Sequence, residues 1–318
     1  APESEQLEPS AALRLAWRAW NPAEALLVEM EGHGRDISDS GYDLSRTVGW
    51  FTHLWPVRFE PVDSDRLDDL MRDTKETLRT LPDEGRSFTR LREIIHPEQF
   101  ADTVYPEISF NYLGIMDSGA RSERFTIAAD RPPFDRSPRQ KPLSALAIYG
   151  YEIGGRQHWH AEYDSARFDA HSIEALLATF EEALMQLLRF CRKRATEHTP
   201  SDFAASGIRL TDWNAILESQ GWNPSDIEDV YSLSAMQEGL LFENMRHPES
   251  EAYFEQMTFT LKGTLDPEAF SHAWQGLVAR HPVLRSVFIH KALPRPAQVV
   301  FRERPVPVTL SDLRHLSR

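Results

Sequence analysis

The sequence predicts an α/β or α+β protein made of two units, each layering helices on a sheet. Three observations lead to that class. Segments with apolar residues at helical spacing alternate with short β-branched or aromatic runs. The alternation restarts after a polar stretch at 194–226. The 318 residues, 41% hydrophobic and 26% charged, amount to roughly two domains' worth of globular chain with enough apolar content for a core in each.

In the first unit, "SAALRLAWRAW" at 10–20 places Leu13, Ala16, Trp17 and Trp20 on one helical face, and "NPAE" breaks the helix. "ALLVEME" reads as a buried strand ended by the glycines of "EGHGRD" at 31–36. "RTVGWFTHLWPVRFEP" suggests extended segments around a glycine. A helix follows over 65–81, with Leu67, Leu70, Met71, Thr74, Leu78 and Leu81 at helical spacing. "EISFNYLGI" at 107–115 is an apolar strand interrupted by polar residues. Beyond a proline-rich loop at 131–142, "LSALAIYGYEI" and "RQHWHAEYD" form a hairpin across "GG". A long helix then places Ile173, Leu176, Leu177, Phe180, Leu184, Leu187, Leu188 and Cys191 on one side. After the polar stretch the pattern is a helix over "SAMQEGLLFENM", a strand at "YFEQMTFTLKG", a helix over "PEAFSHAWQGLVARH", and strands at "VLRSVFIH" and "AQVVF".

Charge and composition narrow the function. A formal charge of −14 argues against a nucleic-acid backbone or an anionic membrane surface as partner, and the short basic run "RKR" at 192–194 is a solvated helix end. A lone cysteine, Cys191, excludes an internal disulfide and a cysteine-rich zinc site, and its place on an apolar helix face makes it a buried structural thiol. No apolar run nears the roughly 20 residues a membrane span needs, and no leader opens the chain. A cytoplasmic protein is the expectation.

Most motifs tied to chemistry are missing. His158 and His160 alternate on a strand and share a face, but no third ligand is nearby, so no metal is expected. "HAEYD" has the His-to-Asp spacing of HHxxxDG, but Trp159 and Ser165 stand where the first His and the Gly belong. GxSxG, GxGxxG and GxxxxGK[ST] do not occur, and no directly bound cofactor is expected. Two stretches remain. Glu31, at a strand end beside glycines, is either a desolvated general base or a turn carboxylate pairing with Arg35. Asn111 and Tyr112 are polar groups inside an apolar strand, where Tyr112 either donates to developing negative charge or is an amphipathic strand residue.

Taken in order, these stretches resemble the epimerization domain of nonribosomal peptide synthetases. "EGHGRD" resembles that family's EGHGRE motif, with Asp36 in the last place, and "RTVGWFTHLWPV" its RTVGWFTxxYP motif, with Trp55 replacing Tyr. "SFNYLGIMD" resembles FNYLGQFD, departing at Ile115 and Met116, and "LPDEGRSFTRLR" keeps only Pro82 and Gly85 of PxxGxGYG. "TPSDF" is similar to the segment that ends such domains. "VYSLSAMQEGLLFENM" and "RHPVLRSVF" are similar to the opening motifs of a condensation domain that accepts a D-configured donor.

The resemblance implies the chloramphenicol-acetyltransferase-like condensation/epimerization superfold, in α/β (α+β) two-layer sandwich lobes. It implies the C-terminal lobe of an epimerization domain over 1–204, a linker over 205–226, and the N-terminal part of a condensation domain over 227–318, both domains incomplete. The substrate would be a thioester on the phosphopantetheine of a peptidyl carrier protein, with neighbouring synthetase domains as partners and neither nucleic acid nor membrane. Glu31 and Tyr112 would be catalytic, with Asn111, His33, Arg46 and Trp50 shaping the site, and His33 and Arg35 holding the loop. Arg280 and Arg285 would be scaffold. The sequence holds no adjacent histidine pair, hence no HHxxxDG, so the chain by itself is expected to be inactive. That absence also disfavours a stand-alone acyltransferase, and the alternative from another class is a non-catalytic segment that binds a carrier protein or another chain.

Overall fold

The computed structural model describes residues 3–22, 24–35, 43–44, 46–62, 64–116, 144–193, 197–205, 207–250, 253–291, 293–313 and 315. Asp36, the proline-rich loop at 131–142 and Arg194 lie outside them. The chain forms two compact units, Ala1–Arg194 and Ala195–Arg318.

In the first unit, strands β1 (Leu26–Gly32), β2 (His53–Phe59), β3 (Ile108–Ile115), β4 (Leu146–Ile153) and β5 (Arg156–Tyr163) form one sheet in the order β2-β1-β3-β4-β5. The pairs β1/β3 and β3/β4 are parallel, whereas β1/β2 and β4/β5 are antiparallel. The expected β4–β5 hairpin is present. It turns at Gly154 and Gly155, whose φ of 60° and 72° are the left-handed values a two-residue hairpin turn requires.

Helices α1 (Glu3–Trp20), α2 (Leu67–Arg79) and α3 (Ala170–Cys191) build the second layer. Alternation sends Val28, Met30, Val57, Phe59, Phe110, Leu146 and Ile148 toward it, where they meet Ala11, Ala12, Leu13 and Ala16 of α1 and Ile173, Leu176, Phe180 and Leu187 of α3. Ala11, Ala12 and Ala16 are all fully or almost fully buried there. The helix α1 starts before residue 10 and runs through Pro9, earlier than expected. Arg14, buried in α1, ties the layers together: it donates to Thr74 Oγ1 (2.8 Å) and Asp73 (2.7 Å) of α2 and to the Glu60 carbonyl (2.9 Å) beyond β2. Asp169 caps α3, accepting from the Ser172 amide. Cys191 is half-buried in the last turn, less enclosed than expected.

In the second unit, α4 (Leu210–Gln220), α5 (Ala235–Arg246) and α6 (Pro267–Arg280) accompany an antiparallel sheet of β6 (Ile227–Ser232), β7 (Ser286–Ile289) and β8 (Ala297–Phe301), in the order β6-β8-β7. Strand β6 is unexpected from sequence, because acidic Glu228 and Asp229 interrupt its apolar residues and its register shifts between Ile227 and Asp229. The strand expected at "YFEQMTFTLKG" does not form. Residues 253–263 carry no ladder, and Phe254, Met257, Phe259 and Leu261 are exposed. Arg285 is buried and donates to the Phe301 carbonyl and Glu228, the scaffold role expected of it. The segment expected as a linker, 205–226, is packed: Trp213 and Leu217 of α4 join Phe203, Ala205, Ile227, Val230, Val299 and Phe301 in one core. Among the described residues no helix is long and apolar enough to cross a membrane.

Candidate functional site

The face of the first sheet turned away from α1 and α3 carries the polar residues. Cα pairing of Val28, Glu29 and Met30 with Ile108, Ser109 and Phe110 brings Glu31 beside Asn111 at the C-terminal ends of the parallel strands β1 and β3. Both are half-buried, and the Asn111 amide donates to the Glu31 carboxylate. Burial pushes the Glu31 carboxyl above its ordinary range; the Asn111 hydrogen bond works against that, and the nearby Glu29 charge adds to it. A carboxylate so placed holds a proton more readily than one in water and, once ionised, is a stronger base. Gln6 of α1 donates to the Glu31 carbonyl (3.4 Å), fixing the strand at that point.

Tyr112, one position further, points the other way. It is 5% exposed and stacks on Trp159 at 5.6 Å, in a cluster where Trp159 also stacks on Phe110 and meets Phe180 of α3 edge-on. Gly150 makes the cluster possible, because a Cβ there would lie 2.5 Å from the Trp159 ring. Tyr112 is therefore on the helix side of the sheet, whereas Glu31 and Asn111 are on the other. Adjacent strand residues face opposite ways, so only one of Asn111 and Tyr112 could have met Glu31.

The loop after β1 is held by Arg35, not by an Arg35–Glu31 pair. The guanidinium donates to the carbonyls of Leu44 (2.8 Å), Thr47 (2.7 Å) and Gly49 (3.2 Å) and lies 4.7 Å over the Phe51 ring. His33 Nδ1 accepts from the Arg35 amide (3.1 Å). Gly34 has φ 62°, and a Cβ there would sit 1.9 Å from the Phe51 carbonyl oxygen. Gly34→Ala is expected to destabilise the first unit by more than about 1 kcal/mol, read as a lower urea midpoint; an unchanged midpoint would show that the loop adapts freely. Arg46 is exposed, and Val48 and Trp50 are 99% and 88% exposed, so neither Arg46 nor Trp50 is packed against Glu31.

His53 and Glu29 were not singled out from sequence. His53 pairs with Gly32 across β1/β2 and stacks on Trp55 at 4.7 Å on the helix side, and burial holds its imidazole below the ordinary range. Glu29 is two positions before Glu31 on the same face, 8% exposed, and accepts from the Tyr105 hydroxyl. Strand alternation signals Glu29 in the sequence, whereas nothing local to Tyr105 does. His158 and His160 do share a face, but they stack on Tyr151 (5.5 and 5.4 Å), and His160 hydrogen-bonds its hydroxyl (3.1 Å). Among the described residues no group of three His, Cys, Asp or Glu is placed to hold a metal.

The sequence matches the family model described as "Condensation domain" over residues 10–208 and 227–318. The chain belongs to the condensation-domain family. Its similarity to another member can extend along almost its whole length. It is 32% identical over 311 residues to bacitracin synthase 3 of Bacillus licheniformis, covering 96% of this chain and 5% of that protein. It is 32% identical over 221 residues to tyrocidine synthase 1 of Brevibacillus parabrevis, covering 65% of this chain and 20% of that protein. This condensation-family chain thus spans about one-twentieth of the length of the first relative and about one-fifth of the second. Among solved structures, it is similar to the crystal structure of the epimerization domain from the third module of tyrocidine synthetase B, at TM-score 0.54 and 28% identity, covering 58% of this chain and 42% of that one. The fold is the chloramphenicol-acetyltransferase-like condensation/epimerization fold, with mixed α/β content in two layers.

Proposed function

We propose that this chain is part of a nonribosomal peptide synthetase in which residues 1–204 belong to an epimerization domain. That domain inverts the Cα of an aminoacyl or peptidyl group carried as a thioester on the phosphopantetheine of a carrier protein. Residues 227–318 belong to the condensation domain that takes the D-configured product as donor. The observation that carries this reading is the Glu31 carboxylate, half-buried at a strand end, proton-avid, and oriented by Asn111.

A thioester acidifies its Cα–H, so inversion needs a base on one face, an acid on the other and a donor for the enolate oxygen. Glu31 is one of the two proton-transfer groups, and Asn111 sets its orientation. Tyr112 supports that geometry from the far side of the sheet, where its stacking on Trp159 fixes β3. His33 and Arg35 hold the loop that rims the site, and Arg46 and Trp50 line the approach of the carrier arm. The other proton-transfer group belongs to the HHxxxDG segment, which this sequence does not contain.

The measurement is deuterium uptake at Cα when an L-aminoacyl carrier protein is incubated in deuterated water. The synthetase that carries this segment together with HHxxxDG is expected to exchange the Cα proton and yield both configurations. The 318-residue chain alone is expected to stay at background. A synthetase that leaves Cα unexchanged would sink the reading. Exposure of Val48 and Trp50 favours the second reading, a non-catalytic segment that binds another chain. Light scattering showing a monodisperse monomer would count against it.

A further inference from the structure

Glu29 is a buried acid whose partner is neutral. Its carboxylate accepts from the Tyr105 hydroxyl, which burial and then Glu29 itself push up to about 12, so that the phenol keeps its proton. Arg92 lies 4.6 Å from the Tyr105 ring centroid, hydrogen-bonds Tyr105 and also donates to Glu93 (2.8 Å), so it reaches Glu29 only through the phenol. A purely structural buried acid is usually neutralised by a cation. Here the direct partner that holds the carboxylate in place is a phenol.

Opposite Glu29 and Glu31 on β2 stand Pro56 and Leu54; on β3 stand Ser109 and Asn111; α1 contributes Gln6; the segment before β3 contributes Tyr105 and Arg92. Two strand positions separate the acids, a Cα distance of about 7 Å on one face of the sheet. We propose that Glu29, locked by Tyr105 two positions before Glu31 on the same face of the sheet, is a positioning residue for Glu31: a carboxylate held at that point strengthens Glu31 as a proton acceptor. This inference rests on the proton-transfer role assigned to Glu31 above and adds the device that tunes it.

The test is an NMR titration of the 318-residue chain labelled with 13C at glutamate side-chain carboxyls, with the Glu31 signal assigned by its loss in Glu31→Gln. Glu29→Gln keeps an acceptor for Tyr105 and removes the charge. The Glu31 midpoint is expected to fall by about one pH unit, a tenfold loss of proton affinity. A Glu31 midpoint that stays put in folded Glu29→Gln overturns the proposal. Glu29→Asn, which also removes the charge and keeps a polar acceptor, supplies an independent reading should that variant fail to fold. There too the Glu31 midpoint is expected to fall, and a midpoint that stays put overturns the proposal as well. Neither result depends on turnover, so loss of this inference is distinguishable from loss of the epimerase reading, which stands or falls on Cα exchange.

Discussion

Glu31→Gln is expected to lower Cα exchange by about 10²- to 10⁴-fold in a synthetase carrying this segment, the range a positioned general base contributes. Gln preserves the side-chain shape and can still accept from Asn111, so the loss reports the proton-transferring oxygen and not a collapsed site. Retention of activity within a factor of about three would remove Glu31 from the mechanism. The unsubstituted enzyme's exchange should rise with pH as Glu31 ionises and level off above its midpoint, which burial has raised. The same displacement has a stability consequence of defined sign. Between the ordinary carboxyl value of 4.5 and the raised folded value, the native state holds a proton that the unfolded chain has released. Stability therefore falls as pH rises through that window. Glu31→Gln removes the slope, so the variant should be relatively more stable at neutral pH while losing exchange. Denaturation series at several pH values read the first effect and mass spectrometry reads the second.

Trp213→Ala is expected to cost about 3–5 kcal/mol in the second unit, the range for removing a large aromatic from a core. Trp213 is 1% exposed and meets Phe203 edge-on at 5.4 Å, over the sheet residues Ile227, Val230 and Val299. The expected result is a large downward shift of the unfolding midpoint with Gly34→Ala leaving that transition unmoved, since the two substitutions fall in different compact units. A segment acting as a free tether would give a change within about 0.5 kcal/mol. The measurement therefore decides how 205–226 behaves in solution.

Much of the first unit was legible because its periodicities are strong. The run 65–81 carries apolar residues on one helical face, "GG" marks the β4–β5 turn, and the long apolar stripe from Ile173 to Cys191 became α3. The second unit was less legible for physical reasons. Acidic residues obscure β6, and "YFEQMTFTLKG" alternates like a strand yet has no ladder here. In 205–226 the turn-forming residues outweigh a single short helix, whose Trp213 finds its core on residues outside that segment, Phe203 before it and Ile227, Val230 and Val299 after it. At the site, strand alternation could tell that Asn111 and Tyr112 diverge, but not which of them meets Glu31. That depends on the β1/β3 register, a relation between segments some 80 positions apart. The Tyr105–Glu29 bond is equally non-local and left no trace in any short motif.

That long separation bears on when the site appears during folding. The β4–β5 hairpin closes over two residues and can form within about 1–10 μs, whereas β1 and β3 must find each other across the whole of β2 and α2. Elements can reach native-like secondary structure while Glu31 and Asn111 are still apart. A full-length chain refolding from denaturant would therefore acquire its hairpin and helices before its chemistry, and a substitution that slows β1–β3 docking would yield protein that looks folded by circular dichroism yet carries an unassembled proton-transfer pair.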